Sequence, residues 1–65
     1  MRASECLGRA RESLASHSIP DALLEAEVLV RHAMDTDRAA FFASLKDHLT
    51  PKQEARVGGL VRRRM

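Results

Sequence analysis

Three histidines are the residues of this chain that first suggest chemistry, because imidazole is a common metal ligand. His17, His32 and His48 are separated by fifteen and then sixteen residues. Metal sites are usually built from at least two ligands at close spacing on one element, and no HxH or HxxxH pair occurs here. We therefore do not predict a metal site, and we interpret the histidines as ordinary surface and helix-end residues.

The single cysteine and two closely spaced glutamates do not form a catalytic group either. Cys6 as a nucleophile would need a base and a lowered pKa, but it falls on an apolar stripe and is predicted to pack in the core. Glu25 and Glu27 are two residues apart on a predicted helix, so their side chains point to different sides. No Gly-rich loop, Ser-His-Asp order or nucleotide-binding fingerprint occurs. Residues 1–65 are predicted to have no active site and no cofactor of their own.

Basic residues are concentrated near the end of the chain, at Arg56 and at Arg62, Arg63 and Arg64. One interpretation is a patch that binds RNA or an acidic protein surface. The other is a last helical turn whose cations favour the helix dipole. No aromatic residue lies nearby, so stacking on bases is not expected. The formal net charge of +2 is too small to decide between them.

Apolar residues recur at helical spacing throughout the chain. The first stripe is Ala3, Cys6, Leu7, Ala10 and Leu14. A second helix is predicted to be capped by Ser18, with Pro20 in its first turn, and to continue to Met34. Its apolar surface is wide, which predicts packing on two neighbours. Within this helix Glu27 and Arg31 form an i,i+4 pair in the favourable order.

A short third helix is predicted from about Arg38 to Leu45, burying Phe41, Phe42 or both. Thr50-Pro51-Lys52-Gln53 predicts the capped start of a last helix. The side chains expected to be buried in that helix are Ala55, Val57, Leu60 and Val61. Gly58-Gly59 conflicts with it, because each glycine inside a helix costs about 1 kcal/mol relative to alanine. The predicted fold class is all-α, a small bundle of four to five short helices in a single domain over 1–65.

Length and composition are consistent with a small globular domain. The chain has 65 residues, 45% of them hydrophobic and 31% charged. One cysteine excludes a disulfide within the chain and suits a reducing cytoplasm. No apolar run resembles a signal peptide or approaches the length of a membrane span. We therefore expect a cytoplasmic location and no membrane partner.

The segment from Asp35 to Phe41 also resembles the turn and second helix of a DNA-binding helix-turn-helix. Two features weaken this interpretation: the turn lacks the usual glycine, and the would-be recognition helix is rich in alanine and phenylalanine where polar base-reading side chains belong. A small nucleic-acid-binding module of this kind remains the alternative function, although a nucleic-acid partner is not what we expect.

An ordered set of residues over nearly the whole chain resembles the N-terminal helical domain of the release-factor glutamine methyltransferases, the HemK/PrmC family. The set is Ile19, Pro20, Glu25-Ala26-Glu27, Val28-Leu29-Val30, His32, Asp37-Arg38, Leu49-Thr50-Pro51 and Leu60-Val61-Arg62-Arg63-Arg64. Three places depart from the family pattern: Pro20 lies next to Ile19, Asp35 stands where a glycine commonly ends the second helix, and Gly58-Gly59 replaces better helix formers.

The resemblance implies that this is the N-terminal substrate-recognition domain of a larger methyltransferase. In that family a Rossmann-like domain follows, uses S-adenosylmethionine and an Asn-Pro-Pro-Tyr motif, and methylates the glutamine of the Gly-Gly-Gln motif in class I peptide chain release factors. We expect the catalytic domain after Met65, since no Asn-Pro-Pro-Tyr occurs before it. The implied partners are the release factor and the chain's own C-terminal catalytic domain.

The residues that we expect to contact the partner are chosen for their charge and expected exposure. They are Arg31, Arg38, Lys46, Arg62, Arg63 and Arg64. Two other functions stay open beside release-factor recognition, namely nucleic-acid binding and assembly through exposed apolar surface. Salt-sensitive binding to a release factor, steeply salt-dependent binding to nucleic acid, and self-association would distinguish the three.

Overall fold

The computed structural model describes residues 1–65 and consists of four helices. They are α1 (Ala3–Ser16), α2 (Ala22–Met34), α3 (Arg38–Ala43) and α4 (Pro51–Arg64). The prediction of a small all-α bundle is confirmed, with four helices. The three longer helices pack against one another, so α2 has two neighbours, as predicted. None of the four helices is long and apolar enough to cross a membrane.

The core is aliphatic apart from one phenylalanine. From α1 it takes Ala3, Cys6, Ala10 and Leu14, which confirms the predicted stripe, with Leu7 half-buried beside them. The remaining buried apolar residues are Ala26, Val30, Ala33, Phe41, Leu49, Val57 and Val61. Four of the eleven core residues are alanines, whose small side chains allow the helix backbones to approach closely.

The connection from α1 to α2 corrects one prediction. Ser18 does not cap α2, which begins only at Ala22 and whose N-cap residue Asp21 makes no side-chain capping bond. Ser18 instead adopts a left-handed backbone, with φ 59°, just past the end of α1. There its N–H donates to the Ala15 carbonyl and that of Ile19 to the Leu14 carbonyl, both at 3.0 Å. These two bonds form a Schellman motif, so Ser18 ends α1 and does not cap α2.

The second helix, α2, ends with the same kind of motif as α1. Asp35 is left-handed, with φ 56°, and the N–H of Thr36 donates to the Arg31 carbonyl at 3.2 Å. Aspartate is one of the few residues other than glycine that enters this region at modest cost. Asp35 therefore fills the place that the family pattern usually gives to glycine.

The third helix is shorter than predicted, and only one of its two phenylalanines is buried. It ends at Ala43, and a turn carries the chain through Leu45. Asp37 caps its start, because its Oδ1 accepts from the N–H of Ala40 at 2.7 Å. Phe41 is fully buried, whereas Phe42 is 46% exposed.

The last helix begins as predicted. Thr50 Oγ1 accepts from the Gln53 N–H at 3.1 Å, and Gln53 Oε1 accepts from the Thr50 N–H at 2.9 Å. Val57 and Val61 are buried as predicted, but Ala55 is exposed and Leu60 only half-buried. The helix turns its Val57–Val61 side to the bundle, which leaves Ala55 facing solvent. It runs unbroken through Gly58 and Gly59.

Replacing the buried phenylalanine should unfold much of the population, while replacing its neighbour should not. Phe41→Ala is expected to cost about 3–5 kcal/mol, against a total stability of about 3–10 kcal/mol for a domain of this size. Phe42→Ala serves as the matched control and should change the unfolding free energy by less than about 1 kcal/mol. Urea unfolding followed by circular dichroism measures both, and equal losses would contradict the observed burial.

Gly59→Ala should stabilise the domain by about 0.5–1 kcal/mol, because alanine is the better helix former. The added Cβ would lie 3.8 Å from Nη2 of Arg63, an ordinary contact. Gly58→Ala is the comparison, since its Cβ would come within 3.3 Å of Nη1 of Arg62 and the guanidinium must move. We expect the smaller gain there. A loss of stability in Gly59→Ala, measured by the same urea titration, would contradict the prediction.

Candidate partner-binding surface

A buried carboxylate on α2 organises the charged side chains of this surface. Glu27 is only 5% exposed. Its Oε2 accepts from Nη1 of Arg31 at 3.2 Å, one turn further along α2, and lies 3.1 Å from Nε of Arg38, the first residue of α3. Removing a carboxylate from water costs several kcal/mol unless cations and hydrogen bonds compensate. Glu27 therefore requires both arginines, and it fastens α3 to α2.

The cluster retains a surplus positive charge at the surface. One carboxylate faces two guanidiniums, so the three groups together carry a charge of +1. The side chain of Arg38 is 66% exposed, and its guanidinium carbon lies 5.6 Å from the centre of the Phe42 ring. A cation near an aromatic ring is attracted to the face of the ring. Arg38 is thus exposed to a partner while held in place from two sides.

Exposed apolar side chains lie on the same two helices as these arginines. Leu23, Leu24 and Val28 on α2 are 57%, 54% and 50% exposed, and Phe42 on α3 is 46% exposed. Leu24 and Val28 are four residues apart, and Val28 precedes Arg31 by three, so these three side chains adjoin on one side of the helix. We call the set of Leu23, Leu24, Val28, Arg31, Arg38 and Phe42 the α2–α3 face.

A polar pocket borders the α2–α3 face at the C-terminal end of α2. Its volume is about 500 Å³, and its lining consists of Val28, Arg31, His32, Asp35, Thr36 and Arg56. Arg56 closes one side by donating from Nη1 to the Ala33 carbonyl at 3.4 Å. This contact joins α4 to the last turn of α2. The pocket therefore extends the α2–α3 face with further hydrogen-bonding groups.

The six basic residues predicted from the sequence lie in different parts of the molecule. Arg31 and Arg38 meet at Glu27. Lys46 is exposed in the turn after α3, and Arg62 and Arg63 are exposed on the last turn of α4. Arg64 pairs through Nε with Oε2 of Glu25 at 3.1 Å, which ties the end of α4 to α2. Whether any of the six contacts a partner stays a prediction.

Sequence reasoning missed the apolar part of this surface. The sequence predicts a wide apolar surface on α2 that packs on two neighbours, and the structure leaves Leu23, Leu24 and Val28 of that surface exposed. The sequence predicts burial of Phe41, Phe42 or both, and the structure exposes Phe42. A helical wheel of α2 carries the signal, because its apolar residues extend over more of the helix than two neighbouring helices can cover.

Cys6 is a packing residue in the structure. Burial raises the pKa of its thiol, and the negative charge of Glu54 raises it further against the opposing effects of the N-terminus and Arg9. The thiol therefore stays protonated near neutral pH, whereas a nucleophilic cysteine reacts as the thiolate. No three side chains of His, Cys, Asp or Glu lie together in a way that could hold a metal ion.

The helix-turn-helix interpretation finds little support in α3. The helix has six residues, and the side chains that it exposes are Arg38, Ala39, Ala40, Phe42 and Ala43. Only Arg38 among them can hydrogen-bond to a base edge, and it is engaged with Glu27. A recognition helix needs several polar side chains that reach base edges.

Fold and surface together define a small helical domain with a cationic and apolar face. The family model described as the PrmC N-terminal domain matches residues 5–65, and the chain therefore belongs to this family. Membership implies that the domain is part of a release factor methyltransferase. Neither a curated protein nor a solved structure matches the chain.

Removing the buried carboxylate should destabilise the domain far more than removing an exposed one. Glu27→Gln leaves Arg31 and Arg38 without their counter-charge, and we expect a loss of about 2–4 kcal/mol in unfolding free energy. Glu25→Gln breaks only the exposed pair with Arg64 and should cost less than about 1 kcal/mol. Urea unfolding of the two variants makes the comparison. Equal effects would show that the Glu27 cluster does not hold α3.

Proposed function

We propose that this domain binds a class I peptide chain release factor and orients it for N5-methylation of the glutamine in its Gly-Gly-Gln motif. In this proposal the chemistry belongs to a C-terminal catalytic domain of the same protein, which acts in the cytoplasm. Membership of the PrmC N-terminal domain family supports the assignment to a release factor methyltransferase. The observation that supports the binding role is the α2–α3 face, where half-exposed apolar side chains lie on the same two helices as two arginines paired with Glu27.

A separate recognition domain has a clear physical purpose in such an enzyme. A glutamine on a flexible loop offers little surface for binding, so contacts elsewhere on the substrate must supply binding energy and orientation. Fixed arginines suit this role, because their positions are already set before the partner arrives and less entropy is lost on binding. The release factor would be held by this domain while its loop enters the catalytic domain.

The cofactor of the parent enzyme does not fit residues 1–65. S-adenosylmethionine is bound in this class of enzyme by a Gly-rich loop after a strand, as are other nucleotide cofactors. All three glycines here, Gly8, Gly58 and Gly59, lie inside helices. We therefore assign S-adenosylmethionine to the catalytic domain alone.

The proposal predicts that the 65-residue chain binds a class I release factor without methylating it. Isothermal titration should give one site per chain, and the affinity should fall as ionic strength rises, because charged groups contribute to the contact. A double-stranded DNA and a structured RNA serve as controls. Binding to the nucleic acids with a steep salt dependence, and none to the release factor, would instead favour the nucleic-acid-binding alternative.

A further inference from the structure

We infer that the α2–α3 face is the docking site, and that the release-factor segment covering it is amphipathic and acidic. This inference rests on the proposed function and adds the location of the site and the chemistry of its ligand. The segment would place aliphatic side chains against Leu24, Val28 and Phe42 and a carboxylate beside Arg38.

The apolar component of the site comes from unusually exposed side chains. Four large apolar residues of α2 and α3 are each about half exposed, in a chain that buries only eleven apolar residues. The one other large apolar residue with such exposure is Met65, at the end of the chain. Single exposed apolar residues need no explanation, but a group on adjoining elements is typical of a surface that a partner covers.

The ionic component is prepared in advance. The buried Glu27 carboxylate pairs with Arg31 and Arg38, so both guanidiniums have set positions before a partner binds. Glu27 is the only carboxylate within 4.0 Å of either guanidinium. The side chain of Arg38 is 66% exposed, so the cluster can reach a second acceptor there. A carboxylate from a partner would complete it with charge-assisted hydrogen bonds.

The apolar side chains alone could be covered by several kinds of partner, and the charge of the face distinguishes among these partners. In a two-fold dimer of this face, residues of one copy meet residues of the same patch on the other, which would bring cationic Arg31–Arg38 pairs close together. Like charges across an interface are unfavourable. A nucleic-acid backbone would satisfy the arginines but leave Leu24, Val28 and Phe42 without apolar contacts. An acidic amphipathic protein segment satisfies both components.

The test compares variants of this face with matched variants elsewhere, by titration against the full-length release factor. The face variants are Leu24→Ser, Phe42→Ala and Arg38→Gln, the last of which removes the charge but keeps a donor for Glu27. The controls are Met65→Ala for exposed apolar surface and Arg11→Gln for charge, since Arg11 is exposed on α1 and is not among the predicted contacts. Circular dichroism melts first establish that each variant is folded, and Leu24→Ser remains informative if the Arg38 variant is not, because it leaves the Glu27 cluster intact.

Each face variant should raise the dissociation constant by about fivefold or more, and Arg38→Gln should also weaken the salt dependence. Each control should stay within about twofold of the wild type. A release factor that binds the wild type and all face variants equally would overturn this inference and leave the proposed function standing. Equal losses in Arg38→Gln and Arg11→Gln would also overturn it, since non-specific charge would then account for binding.

The remaining outcomes bear on the partner itself. If the wild-type chain does not bind the release factor, the proposed function fails and the identity of the ligand inferred here fails with it. Sedimentation of the chain alone then identifies the occupant: self-association that Leu24→Ser abolishes would make a second copy the ligand and overturn the acidic segment.

Discussion

The pairing of the buried Glu27 carboxylate positions the charged side chains of α2 and α3. A buried carboxylate cannot remain charged without compensation, and here two guanidiniums from different helices supply it. The pairing holds α3, a helix of six residues, against α2. Phe41 then enters the core, while Arg38 and Phe42 stay at the surface. Glu27, Arg31 and Arg38 thus stabilise the fold and also set the charged part of the proposed binding surface.

The rest of the bundle is held by small residues and by well-closed helix ends. Alanines and valines in the core let α1, α2 and α4 approach closely. Ser18 and Asp35 each enter the left-handed region to end a helix, without a glycine at either place. Two further ionic contacts link distant parts of the chain: the N-terminal ammonium meets Glu54 at 2.7 Å, and Arg64 meets Glu25. A domain this small depends on such local details, because its core alone contributes little net stability.

Membership of the PrmC N-terminal domain family and the form of the α2–α3 face support the same proposal. In the proposed function the reacting glutamine lies on a loop of the release factor, so a separate binding domain would supply contacts elsewhere on the substrate. On the α2–α3 face the apolar side chains would contribute affinity, and the two arginines would contribute orientation and selectivity for an acidic partner.

The sequence by itself determined the features that depend on neighbours along the chain. Helical periodicity predicted α1 and its buried stripe, and Thr50, Pro51 and Gln53 predicted the start of α4, because capping and periodicity act within a few residues. Family membership was also predicted from the order of the motifs. Tertiary structure alone decided which phenylalanine is buried and that Leu24 and Val28 stay exposed. It also brought Arg38 to Glu27. These outcomes depend on how many sides of each helix its neighbours cover, and spacing along one chain does not contain that information.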